Sequence, residues 1–70
     1  MSVSKKIRHI LVERDMTMAE LAEKINTGRS NLSGKLSRDN FSEKEIREIA
    51  EALDCSYNIV FFMKDTGKEI

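Results

Sequence analysis

Proline is absent from this 70-residue chain, and cysteine and histidine occur once each, as Cys55 and His9. A single cysteine makes no internal disulfide, and Cys55 with His9 falls short of the ligand set of a structural zinc site. No phosphate-binding loop, Ser-His-Asp set or metal-spaced cluster is present, so we expect no enzyme, no cofactor and no metal. No small-molecule ligand is evident either. No apolar run approaches the ~18 residues of a membrane span. The opening stretch Met1-Ser2-Val3-Ser4-Lys5-Lys6 does not read as a secretion signal. With a lone thiol, that favours a reducing, cytoplasmic setting. A chain of this size buries only about 60% of its unfolded surface, which allows one domain with a thin core.

Charge of one sign is also missing: twelve Lys and Arg balance twelve Asp and Glu. The balance hides a polarity. Residues 1–38 carry eight bases against four acids, and residues 39–70 the reverse. From Lys24 to Arg38 there are four bases and no acid. Phosphate contact needs such a local patch, not a basic whole.

With no proline to break helices, boundaries are read from caps, glycine and asparagine. Val3, Ile7, Ile10 and Leu11 fall at helical spacing, predicting a first helix over about 4–14 with Ser4 as N-cap. Thr17 and Glu20 form a capping box, with Met16 and Leu21 as its hydrophobic staple, opening a second helix over 18–25. Asn26-Thr27-Gly28 ends it, since asparagine tolerates the left-handed conformation that stops a helix. A third helix is expected over 29–36, with Leu32 and Leu36 inward, followed by a polar loop over 37–40. Ser42 and Glu45 repeat the capping box and Phe41 and Ile46 the staple, opening a helix whose inner face is Ile46, Ile49, Ala50 and Leu53. From Tyr57 to Met63 the residues are aromatic and β-branched, which predicts a strand. Lys64 to Lys68, with Gly67 at a positive-φ position, reads as the loop of a hairpin returning over 68–70.

Thr17 to Leu36 has the dimensions of a helix-turn-helix: about eight residues, a three-residue turn and a second short helix. The face left exposed on the third helix is Arg29, Ser30, Asn31, Ser33, Gly34 and Lys35, polar and without an acid. Arg bonds guanine bidentately, Asn does so to adenine, and Ser reaches base or phosphate. Thr17-Met18-Ala19-Glu20-Leu21-Ala22-Glu23-Lys24-Ile25, then Gly28-Arg29-Ser30-Asn31-Leu32-Ser33, resembles the core of the Cro/repressor-like (XRE) helix-turn-helix family. Ile46 to Leu53 resembles that family's later core helix, so the resemblance spans roughly residues 4–56. It departs from the usual pattern at Met18, where glutamine is common, at Asn26 in the turn, at Gly28 as third-helix cap, and at Lys35-Leu36, which shift the last buried position by one residue.

The resemblance implies a mainly α, compact domain of four to five helices, here with the C-terminal β-hairpin added. It also implies dimeric binding to operator DNA read by the third helix. The DNA-contacting candidates are Thr17, Thr27, Gly28, Arg29, Ser30, Asn31, Ser33, Lys35 and Arg38, with Lys5, Lys6 and Arg38 solvated or positioning on the backbone rather than reading bases. Residues 1–56 form the DNA-binding part and 57–70 a dimerisation element using Tyr57, Ile59, Val60, Phe61, Phe62 and Met63. A strand apolar on both faces needs cover on both, and a homodimer on a palindromic operator would supply it. The expected function is that of a small transcriptional regulator, a repressor. The competing reading is a protein-interaction module on the same scaffold, antitoxin-like or an anti-repressor partner, supported by the acidic second half and the apolar last segment.

Overall fold

The computed structural model describes residues 2–70. Four helices follow one another: α1 (Val3–Glu13), α2 (Met18–Lys24), α3 (Arg29–Arg38) and α4 (Glu43–Ala52). Their inner faces meet in one core of Ile7, Leu11, Leu21, Ala22, Leu32, Leu36, Ile49 and Leu53. Ile10, Met16, Met18, Ile25, Phe41, Ala52 and Cys55 pack around its edge. Leu21, at the start of the helix-turn-helix, has no exposed surface, and Leu32 and Leu36 seat α3 on the core.

Both capping boxes are present. Thr17 Oγ1 accepts from the Glu20 N–H at 3.1 Å, and Glu20 Oε1 accepts from the Thr17 N–H at 3.0 Å. Ser42 and Glu45 do the same at 3.1 and 2.9 Å. These bonds satisfy amides that a helix start leaves without partners.

The N-cap of α1 is Ser2, whose hydroxyl accepts from the Lys5 N–H at 3.1 Å, and not Ser4 as expected. Ser4 instead lies inside the first turn and is buried. Its N–H donates to Asp39 Oδ1 at 2.8 Å and its hydroxyl to the Leu36 carbonyl at 2.6 Å. One serine thus serves an orphan donor at the start of α1 and a terminal acceptor of α3. Helix α3 also runs two residues further than expected, taking in Ser37 and Arg38.

The expected C-terminal hairpin does not form: among the described residues there is no β-strand, only a single bridge between Phe62 and Glu69. The turn itself is as expected, with Gly67 at φ +75° and its N–H donating to the Met63 carbonyl at 2.7 Å. Beyond it, backbone pairing is limited to Met63 with Lys68 and Phe61 with Ile70. Strand propensity reflects packing against neighbours more than backbone preference. Here the neighbours are missing: Ile59, Phe61, Phe62 and Met63 are half to two-thirds exposed, and no residue after Cys55 joins the core. Two short arms without a covered face are marginal in water.

The radius of gyration is 13.8 Å, with a long axis of 43 Å against 22 and 18 Å. A compact chain of this length would have a radius of about 11 Å. The excess reflects residues 57–70 leaving the helical body. Their root is held by Tyr57, whose hydroxyl donates to Glu43 Oε1 at 3.2 Å and accepts from Arg47 Nε at 3.4 Å. Among the described residues, no helix is long and apolar enough to cross a membrane, and no group of three His, Cys, Asp or Glu could hold a metal ion.

Candidate nucleic-acid interface

Helix α2 ends at Lys24 with Ile25 as its C-cap, and Asn26 takes the left-handed conformation, φ 57°. Thr27 returns its N–H to the Ala22 carbonyl at 2.9 Å. This turn reverses the chain tightly enough for α3 to begin two residues later, packed against α2 through Leu21, Ala22 and Leu32. Gly28 caps α3 with extended backbone, φ −76° and ψ 146°, and no side-chain bond. Arg29 is therefore the first helical residue, at an open end where backbone amides face solvent.

The turns of α3 that point away from Leu32 and Leu36 carry Ser30, Asn31, Ser33, Ser37 and Arg38, all exposed, with half-buried Gly34 between them. Arg29 is exposed at the front of the same helix and makes no hydrogen bond or ion pair with a described residue. Asn31 is pre-set: its Nδ2 donates to Thr27 Oγ1 at 2.9 Å. One amide N–H and the carbonyl oxygen stay available, the pair of groups that adenine recognition needs. Thr17, exposed at the start of α2, has its hydroxyl oxygen engaged by Glu20 and its hydroxyl proton still to give.

Lys35 departs from the sequence picture of an uncompensated basic stretch. Its ammonium pairs with Glu45 Oε2 from α4, and both side chains are only about 30% exposed. The Glu45 carboxylate joins two partners, since its other oxygen closes the α4 capping box on Ser42. The Lys35 hydrogen bond first, then those from Ser42, pull its carboxyl pKa down from 4.5 to about 2. Lys35 thus lies at the edge of the exposed face and is tied to the body. Asp39, just after α3, brings a second acid to the basic helix, with its carboxyl also held below the ordinary range by the Ser4 N–H.

Sequence reading missed Glu45 as a partner of Lys35 and Asp39 as a partner of Ser4. Glu45 was visible as a capping residue, but its second bond crosses between helices and leaves no trace in local spacing. The expected dimerisation residues stand apart from this face: Ile59, Phe61, Phe62 and Met63 are exposed on the projecting segment, Val60 is half-buried, and Tyr57 is bonded to α4.

A family model for the Cro/C1-type HTH DNA-binding domain matches residues 6–58. No curated protein and no solved structure matches the chain.

Proposed function

The chain belongs to the Cro/C1-type helix-turn-helix DNA-binding family, and we propose that it is a small sequence-specific transcriptional regulator, a repressor, that lays α3 in the major groove of duplex DNA. The observation that carries this reading is the outer face of α3. It is narrow, polar and basic, it is seated rigidly by Leu32 and Leu36, and its Arg29 is not neutralised by any described residue. The major groove accepts a helix of this width, and base edges there present the donors and acceptors that Arg29, Ser30, Asn31 and Ser33 complement. Thr17, Thr27 and the Gly28 backbone lie at the helix starts, where phosphate contacts fix the register. Lys35 contributes chiefly by seating α3 on α4 through Glu45.

The regulator acts in the cytoplasm as a homodimer joined through residues 57–63. The exposed Ile59, Phe61 and Met63 support this, as does the backbone of residues 58–60, which has no backbone hydrogen-bond partner among the described residues. A second copy is the occupant that satisfies both the apolar surface and the open backbone. Two-fold symmetry would present two α3 helices to half-sites one DNA turn, about 34 Å, apart in a palindromic operator.

Arg29→Ala tests the placement of the reading head. Loss of a base contact there is expected to weaken specific binding by about 1–3 kcal/mol, with helicity unchanged. Unchanged affinity for the selected site, measured by gel shift, would remove Arg29 from the interface.

A further inference from the structure

Gly34 lies in the interior of α3, where glycine costs about 1 kcal/mol relative to alanine. Its backbone is ordinary helix: φ is not positive, so the conformation does not call for glycine. Nor does packing within the fold. Where its Cβ would stand, the three nearest heavy atoms all belong to the guanidinium of Arg38, with Nη1 at 3.2 Å and Cζ and Nη2 at 3.8 Å. Arg38 is four residues on, and helical side chains lean toward the N-terminus, so its long stem folds back along the exposed face. The guanidinium thereby comes to rest at the middle of that face rather than off the helix end. It makes no ion pair with a described residue.

We infer that Gly34 is a positioning residue that leaves room for the Arg38 guanidinium to lie across the centre of α3, and that Arg38 is a base-reading group for guanine. This rests on the reading of α3 as the major-groove helix. A bare Cα leaves that space to the planar fork, whose Nη1, Cζ and Nη2 all lie within 3.8 Å of where a Cβ would stand. Two N–H donors in one plane match the O6 and N7 acceptors of guanine. A lysine at 38 would keep the charge for phosphate but lose the bidentate match. The helical cost of glycine is what this arrangement sacrifices in stability.

The test uses the full chain and its best binding site from a random duplex library, with a scrambled duplex as control, at one salt concentration. Gly34→Ala is expected to raise Tm by about 4 °C, as a gain of helix propensity should in a domain of this size. It should nonetheless weaken specific binding about 3-fold, because the guanidinium must shift. Gly34→Leu and Arg38→Ala should each lose about 10- to 100-fold, the range for one bidentate pair. Gly34→Leu combined with Arg38→Ala should bind no worse than Arg38→Ala alone. Arg38→Lys should match wild type on the scrambled duplex and Arg38→Ala on the selected site. Additive losses in the double variant, full specific binding by Arg38→Lys, or a lower Tm for Gly34→Ala would each overturn the inference. If wild type selects no site at all, the major-groove reading falls and takes this inference with it. If wild type selects a site and the variants bind it equally well, this inference alone fails.

Discussion

Lys35 and Glu45 show how one residue pair can alter the meaning of a charge pattern. In the sequence, Lys35 belongs to a run of bases without an acid. In the fold, an acid ten residues away neutralises it and anchors α3 to α4. Glu45→Gln keeps a carbonyl oxygen for the Ser42 N–H and removes the charge. Freed from its partner, Lys35 would reach phosphate, so the slope of log K against log salt is expected to steepen by about one unit. An unchanged slope would mean that Lys35 stays on the body without its partner. The same substitution has a signature in acid. The folded pKa of Glu45, about 2, lies below its ordinary 4.5, so its contribution to stability is present above about pH 4.5 and is lost as pH falls toward 2. Glu20 and Asp39 are lowered in the same direction, by hydrogen bonds from Thr17 and from Ser4. Thermal melts from pH 6 down to 2 should therefore show a falling Tm, and Glu45→Gln should flatten the fall.

At the scale of elements, each helix ends in the same way. Asp15, Asn26, Asp39 and Asp54 all have φ between 51 and 57°. After each, the next N–H returns to the carbonyl five residues back: Met16 to Leu11, Thr27 to Ala22, Asn40 to Lys35 and Cys55 to Ala50. These are Schellman closures made with Asp and Asn where glycine is usual. Helix starts were legible in the sequence because both partners of a capping box lie within four residues and have distinctive chemistry, as with Thr17 and Glu20. The ends were read only at Asn26, since an aspartate among charged residues looks like any solvated side chain. Ser4 was misread for a related reason: its partners, Leu36 and Asp39, are over thirty residues away. Asp54→Gly and Asp39→Gly separate backbone from side-chain roles. The Asp54 side chain has no hydrogen bond to a described residue, whereas its carbonyl accepts from Arg14 at 2.9 Å and would be kept. Relief of the left-handed cost, less the extra freedom of the unfolded chain, should stabilise Asp54→Gly by about 0.5 kcal/mol. Asp39→Gly gains the same relief but strips the Ser4 N–H of its partner, so it should melt below wild type. A lower Tm for Asp54→Gly would show that its carboxylate does structural work.

On the scale of the whole molecule, the helical body and the exposed polar face of α3 were legible because apolar periodicity and capping act locally. The last segment was not, because strand-forming residues become a strand only when something covers and pairs with them. Tyr57 to Met63 have that composition, yet in the single chain they lie open, with one bridge at Phe62. If a second copy supplies the cover, Ile59→Ser with Phe61→Ser should leave Tm of the monomer nearly unchanged, as both side chains are at least half exposed. The pair should abolish dimerisation in sedimentation equilibrium at tens of micromolar, roughly the range of a weak dimer. Equal association by this variant would move the dimer contact elsewhere. DNA recognition by α3 remains the claim on which the rest depends, and selection from a random duplex library by the unsubstituted 70-residue chain tests it most directly. The expected result is enrichment of a palindromic motif with half-sites about one helical turn apart, bound with a steep loss of affinity as salt rises. Recovery of no motif, with binding that is weak and indifferent to sequence, would contradict it.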